Sequence, residues 1–130
     1  MIIGTGIDSV ETKRFALWYR YDKKKLLRVF SEHEIEYCLS NLELSAQRYA
    51  VRFAAREALY KAISAHWPDH SVPFLTLCRA TTIIRKRAPH IIIDNTLLQP
   101  YGTSLVCTKI HLSLTHTQQT ATAFIILEAL

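Results

Sequence analysis

No apolar run in this 130-residue chain approaches the roughly 20 residues that a helix needs to cross a bilayer. The first residues, MIIGTGIDSVE, carry neither a positive head nor a long apolar segment, so the expectation is no secretion leader and a cytoplasmic location. The three cysteines, Cys38, Cys78 and Cys107, are far apart, odd in number and without CxxC spacing. That argues against a disulfide framework and a zinc ribbon, and leaves buried or idle thiols. Internal repeats, low-complexity tracts and linkers are also lacking. With 49% of residues hydrophobic, one packed domain over residues 1–130 is expected.

The charge is one-sided, +5 at neutral pH. That favours polyanionic partners: nucleic acid, anionic lipid, a phosphorylated cofactor or an acidic protein. Charge alone does not choose among them, and a solvated basic surface with no duty remains open.

Residues 2–10 read as a strand with Ile2, Ile3, Ile7 and Val10 as its apolar positions, and Gly4 and Gly6 let something approach the backbone closely. Residues 11–19 read as helical, followed by the charged stretch RYDKKK. Ser31 and Glu34 have capping-box spacing, which predicts a helix running to about Leu39. The longest helix is predicted over residues 45–64, rich in alanine and free of Gly and Pro. Phe74 to Arg87 and His90 to Ile93 read as a hairpin broken by Pro89, and residues 95–101 as a short helix capped by Asn95. Residues 108–116 and 120–128 read as strands joined by a polar turn. The fold class is α+β: a small domain with one long helix packed on an antiparallel sheet.

Glu57 and Lys61 lie within a narrow stripe of that helix otherwise lined by alanines. They are either an ordinary i,i+4 pair on a solvated face or part of a site. Asp8 sits inside an apolar run, where a carboxylate needs a partner. It either caps the next helix or binds a metal. Two carboxylates from different elements suit a hard cation such as magnesium, whose remaining positions take water and phosphate oxygens. Lys61 would then neutralise a diphosphate.

In the strand HLSLTHT, His111, Ser113 and Thr115 share one face and Leu112, Leu114 and His116 the other. The polar face suits a phosphate or pantetheine groove, or is the solvent side of an edge strand. KRAPH, with Arg87 and Pro89, is a basic turn able to touch phosphate. His66 and His70 have i,i+4 spacing, but Pro68 between them breaks the helix that a His-pair metal site requires.

GIDSVETKRF (6–15), FSEHEIEYC (30–38), RFAAREALYKAI (52–63) and HLSLTHT (111–117) together resemble holo-acyl-carrier-protein synthase, the bacterial 4′-phosphopantetheinyl transferase family. The resemblance covers nearly the whole chain. It implies a homotrimer with coenzyme A between neighbouring subunits and magnesium on Asp8 and Glu57, with Lys61 as the family lysine. It further implies that Arg14 meets an acidic helix of the acyl-carrier protein, with Arg20 and Arg28 as basic neighbours. Arg52, Arg87, Pro89, His111, Ser113, Thr115 and His116 map to the coenzyme region, and Lys61 also faces it. Nucleic acid and membrane are not implied as partners. Aromatics are not interleaved with the basic residues as stacking platforms require.

The chain departs from the family pattern at three places. Ser64-Ala65-His66 stands where a glycine-rich GTG turn near the diphosphate is usual. Tyr60 replaces a small polar residue, and Arg87-Ala88-Pro89 forms the hairpin turn. Arg87 and His66 are the charged residues placed to compensate. A catalytically idle relative that serves as a binding partner stays open on the same grounds.

Overall fold

A computed structural model describes residues 1–130. The expected first strand forms as β1 (Ile2–Glu11). It pairs antiparallel with β5 (Thr120–Ala129), which in turn pairs with β4 (Thr108–His116), giving the sheet order β1-β5-β4. The long helix α3 (Ser45–His66) lies across β1 and β5. Its Ala50, Ala54, Ala58 and Ala62 are fully buried, as are Ala121, Ala123, Ile125 and Leu127 of β5. Small residues on both partners bring helix and sheet close together.

Gly4 and Gly6 are where this approach is tightest. A methyl group on Gly6 would overlap the carbonyl of Ala58, and one on Gly4 the carbonyl of Ala62. What approaches the β1 backbone is therefore α3 itself. The inward residues of β1 are Gly4, Gly6, Asp8 and Val10, while Ile7, expected among the strand's apolar positions, is 58% exposed. Gly6→Ala is expected to destabilise by about 3 kcal/mol or more, because the obstacle is backbone rather than a movable side chain. A urea midpoint within error of the parent's would contradict this packing.

The capping box forms as expected. Ser31 Oγ accepts from Glu34 N, and α2 runs Glu32–Leu39. Residues 11–19 are not one helix but two 3₁₀ turns, Thr12–Phe15 and Trp18–Arg20. In that geometry residues three apart eclipse, which turns Thr12, Phe15 and Trp18 inward together. Phe15 is fully buried, 4.5 Å from the Trp18 ring and 5.4 Å from the Phe53 ring. The charged stretch holds a one-turn helix, α1 (Lys23–Leu26).

The largest departure lies at residues 74–80. The expected hairpin begins late, because Phe74–Ala80 is a helix, α4, entered through Pro73. Only from Thr81 do β-branched residues accumulate, and there β2 (Thr81–Arg85) pairs with β3 (Pro89–Ile93) as a separate two-stranded sheet. Residues 95–101 form two 3₁₀ turns, the first capped by Asp94 rather than Asn95. Asn95 Oδ1 instead accepts from Leu105 N at 2.7 Å.

A buried ion pair ties α2 to α3 and β2. Arg56 donates to both carboxylate oxygens of Glu34, at 2.9 and 2.6 Å, and to the Thr81 carbonyl at 2.7 Å. Cys38 and Cys78 are buried and Cys107 is exposed, all as free thiols. Burial pushes the Cys38 and Cys78 thiols up to about 12. No helix is long and apolar enough to cross a membrane.

Candidate active site

Asp8 faces α3 because strand alternation puts it on the side of Gly4, Gly6 and Val10. The first 3₁₀ turn after β1 has Glu11 at its cap position, so Asp8 does not cap it. Only 10% of the Asp8 side chain is exposed, and its Oδ1 accepts from Lys61 Nζ at 3.1 Å. Lys61 Nζ also donates to the Ile7 carbonyl at 3.0 Å. The lysine is thus committed to β1, not to an i,i+4 pair with Glu57. Asp8 Oδ2 is buried and has no hydrogen-bond partner.

Glu57 meets Asp8 from the helix side. Burial pushes its carboxyl above the usual carboxylate range, and the charge of Asp8 pushes it further. The charges of Arg14 and Lys61 pull in the opposite direction. Two carboxyl groups converge with one buried oxygen unsatisfied, an arrangement that a hard cation relieves. No third His, Cys, Asp or Glu completes a cluster. The pair therefore fits magnesium, which takes one or two protein carboxylates and fills its octahedron with water and phosphate oxygens.

Arg14 lies close to this pair, its guanidinium 4.9 Å from the Phe53 ring centre and 5.7 Å from that of Phe15. Arg20 folds onto its neighbour, with Nε donating to Tyr19 Oη at 3.1 Å. Arg28 is exposed, and Lys23 pairs with Glu32.

A second feature lies on the other side of α3. A cavity of about 290 Å³ is lined by Tyr37, Arg48, Arg52, Arg85, Pro89 and His116, among others. Of the residues assigned to the coenzyme region, it brings together Arg52, Pro89 and His116. Arg52 is 4% exposed, its Nε is 3.8 Å from Glu34 Oε2, and that Nε has no hydrogen-bond partner. Glu34 is already held by Arg56, so Arg52 keeps positive charge to offer an anion. Arg48 lies 4.0 Å from the Tyr37 ring centre and donates to the Tyr37 carbonyl at 2.8 Å.

Besides Lys61, four other residues mapped to the coenzyme region are not in this cavity. Arg87 sits exposed at the tip of the β2–β3 hairpin, and it is Arg85 that faces the cavity. His111, Ser113 and Thr115 lie on the opposite face of β4 from Leu114, which lines it. They share the open face of the sheet with Ile7 and Phe124, in register Ile7–Phe124–Ser113. His111 Nε2 is 3.0 Å from Glu128 Oε1. Arg48, Arg85 and Tyr37 went unmarked in the sequence. The i,i+4 spacing of Arg48 and Arg52 is a signal that could have found one of them.

The model of the 4′-phosphopantetheinyl transferase superfamily matches residues 4–122. A holo-[acyl-carrier-protein] synthase of Treponema denticola is 37% identical over 98% of this chain and 99% of its own length. The solved acyl carrier protein synthase of Mycobacterium tuberculosis is 28% identical, with a TM-score of 0.73 and full coverage of both chains. A holo-(acyl-carrier-protein) synthase of Bacillus anthracis, solved in complex with CoA (3′,5′-ADP), has the same fold at 23% identity. Its TM-score is 0.76, over 100% of this chain and 99% of that one.

Proposed function

Since the chain belongs to the 4′-phosphopantetheinyl transferase superfamily, we propose that it moves 4′-phosphopantetheine from coenzyme A to a serine of an apo-acyl-carrier protein. The observation that carries this reading is the unsatisfied Asp8 Oδ2, buried beside Glu57 and within one lysine's reach. Asp8 and Glu57 are the residues to hold magnesium. Bound there, the ion would supply positive charge to the diphosphate of coenzyme A. The serine Oγ forms a bond to the β-phosphorus while the bond from that phosphorus to the bridging oxygen breaks, and adenosine 3′,5′-bisphosphate leaves with the oxygen.

Lys61 is already held 3.1 Å from Asp8. Shifting its ammonium onto a phosphate oxygen neutralises the charge that develops on the leaving group. A Glu57 carboxylate committed to a cation is a poor base, so solvent takes the serine proton. Lys61→Ala is therefore expected to lower kcat about 100-fold with magnesium affinity little changed. A variant with parental kcat would remove the lysine from the mechanism.

Arg14 stands where an acidic carrier helix reaches both it and the carboxylate pair, with Arg20 and Arg28 as outlying basic contacts. The basic cavity is the place for the nucleotide end of the coenzyme. Arg52 and Glu57 are separated by about 140° around α3, so a single chain turns cavity and carboxylates away from each other. One coenzyme can use both only if they come from neighbouring chains, as in the homotrimer that the sequence resemblance implies. The open sheet face, with Ile7 58% and Phe124 40% exposed, is an apolar surface suited to that contact. His111, Ser113 and Thr115 would then meet a neighbouring subunit. Light scattering that reports a monomer would remove this arrangement.

The direct experiment is mass spectrometry of an apo-carrier incubated with the protein, coenzyme A and magnesium. A carrier heavier by one phosphopantetheine supports the reading, and an unmodified carrier overturns it.

A further inference from the structure

α3 continues past Lys61 to His66, and a hydrogen-bonded chain outside the steps above is built onto its last turn. In the following loop, His70 Nδ1 accepts the Val72 N–H at 3.1 Å. A ring nitrogen that accepts holds a lone pair, so this imidazole is neutral and carries its proton on Nε2. That Nε2 lies 2.8 Å from Ser64 Oγ, so His70 donates and Ser64 accepts. The direction excludes His70 as a base toward the Ser64 hydroxyl. It also leaves the Ser64 hydrogen free, because Ser64 Oγ makes no other hydrogen bond within the chain. Tyr60 stands edge-on to His70 with ring centres 5.2 Å apart and braces the imidazole from the side.

Ser64 follows Glu57 by seven residues, which brings it back to within about 20° of the same stripe. It follows Lys61 by three residues, about 4.5 Å along the axis. The free O–H is therefore next in line after Asp8, Glu57 and Lys61, on a half-buried side chain. A hydroxyl that accepts one hydrogen bond becomes a stronger donor in another. Its fitting acceptor on this stripe is an anionic oxygen.

We propose that Ser64, aligned by His70, is a binding residue for the diphosphate of coenzyme A, donating its O–H to a phosphate oxygen. His70 acts through Ser64 as a positioning residue. The assignment rests on the transfer reading above. It puts a side-chain donor at the point where the glycine-rich turn is absent.

Calorimetric titration with coenzyme A and steady-state transfer kinetics test it on Ser64→Ala, Ser64→Thr, His70→Phe and the Ser64→Ala/His70→Phe double variant. Melting temperatures serve as the folding control. Ser64→Ala is expected to weaken coenzyme binding and raise KM on the order of 10-fold, with kcat changing less, and Ser64→Thr to restore both. His70→Phe keeps an aromatic edge for Tyr60 but removes the donor. It is expected to shift KM in the same direction, with the double variant no worse than Ser64→Ala. Parental binding and KM in Ser64→Ala would overturn the proposal, as would a loss that Ser64→Thr fails to recover. If the unaltered protein neither binds coenzyme A nor modifies the carrier, the transfer reading falls, and this assignment with it.

Discussion

Asp8→Asn is expected to reduce phosphopantetheine transfer on the order of 1,000-fold while the fold stays intact. Asparagine has the same shape, and its oxygen can still accept from Lys61. What disappears is one negative charge and one of two candidate metal ligands. Removing that charge takes away a like-charge neighbour that raises the Glu57 carboxyl. The unsatisfied Oδ2 is replaced as well. Measured without magnesium, the variant is therefore expected to be at least as stable as the parent. Lost activity with retained or increased stability is what a strained functional site produces and what a structural carboxylate does not. Near-parental turnover at saturating magnesium would end the two-carboxylate assignment, and so would a lowered melting temperature with activity kept.

Glu34→Gln carries the largest expected loss of stability. Arg56 and Glu34 are completely enclosed and share two hydrogen bonds. Neutralising one partner leaves an uncompensated guanidinium in the core, a change of about 3–5 kcal/mol. Burial alone would push the Glu34 carboxyl up. The Arg56 charge and the hydrogen bonds from Arg56 and Ser31 outweigh it and hold the carboxyl below its ordinary value of 4.5. A folded-state value below the unfolded one means that the contribution is fully present above pH 4.5. It fades as the pH falls through the lower, folded value. The stability gap between parent and Glu34→Gln should therefore be widest near neutral pH and narrow in acid. Chemical denaturation at both pH values checks this, and a gap under about 0.5 kcal/mol at neutral pH would show the pair to be energetically idle.

The elements legible in the sequence are those whose signals are local. The Ser31–Glu34 box, the alanine-rich α3 and the alternating β4 and β5 each state their structure within a few residues. Residues 74–80 read as strand in the sequence and fold as a helix, because an apolar run of that length suits a buried strand or a buried helix equally. Pro73 and the backing of α3 decide for the helix. Ile7 lies on the outer face of β1, and the glycines mark the inner one.

The carboxylate site divides in the same way. An Asp in an apolar strand and a Glu–Lys pair on an alanine stripe are anomalies visible in the chain itself, since each sets a charge where local chemistry disfavours it. Their convergence depends on Gly4 and Gly6 admitting α3 against β1, a distance that no spacing in the sequence contains. The Arg56–Glu34 pair, the basic cavity and the Ser64–His70–Val72 relay likewise join residues from separate segments.

Residue chemistry alone settled which groups were out of place, because a charge's cost in apolar surroundings is a property of its neighbours in the chain. Tertiary packing decided which of those groups face one another, because helix and sheet approach only as closely as their smallest side chains allow. It also decided that the carboxylates and the basic cavity sit on opposite sides of α3, since their positions around the helix axis acquire a direction only once one flank of the helix is buried.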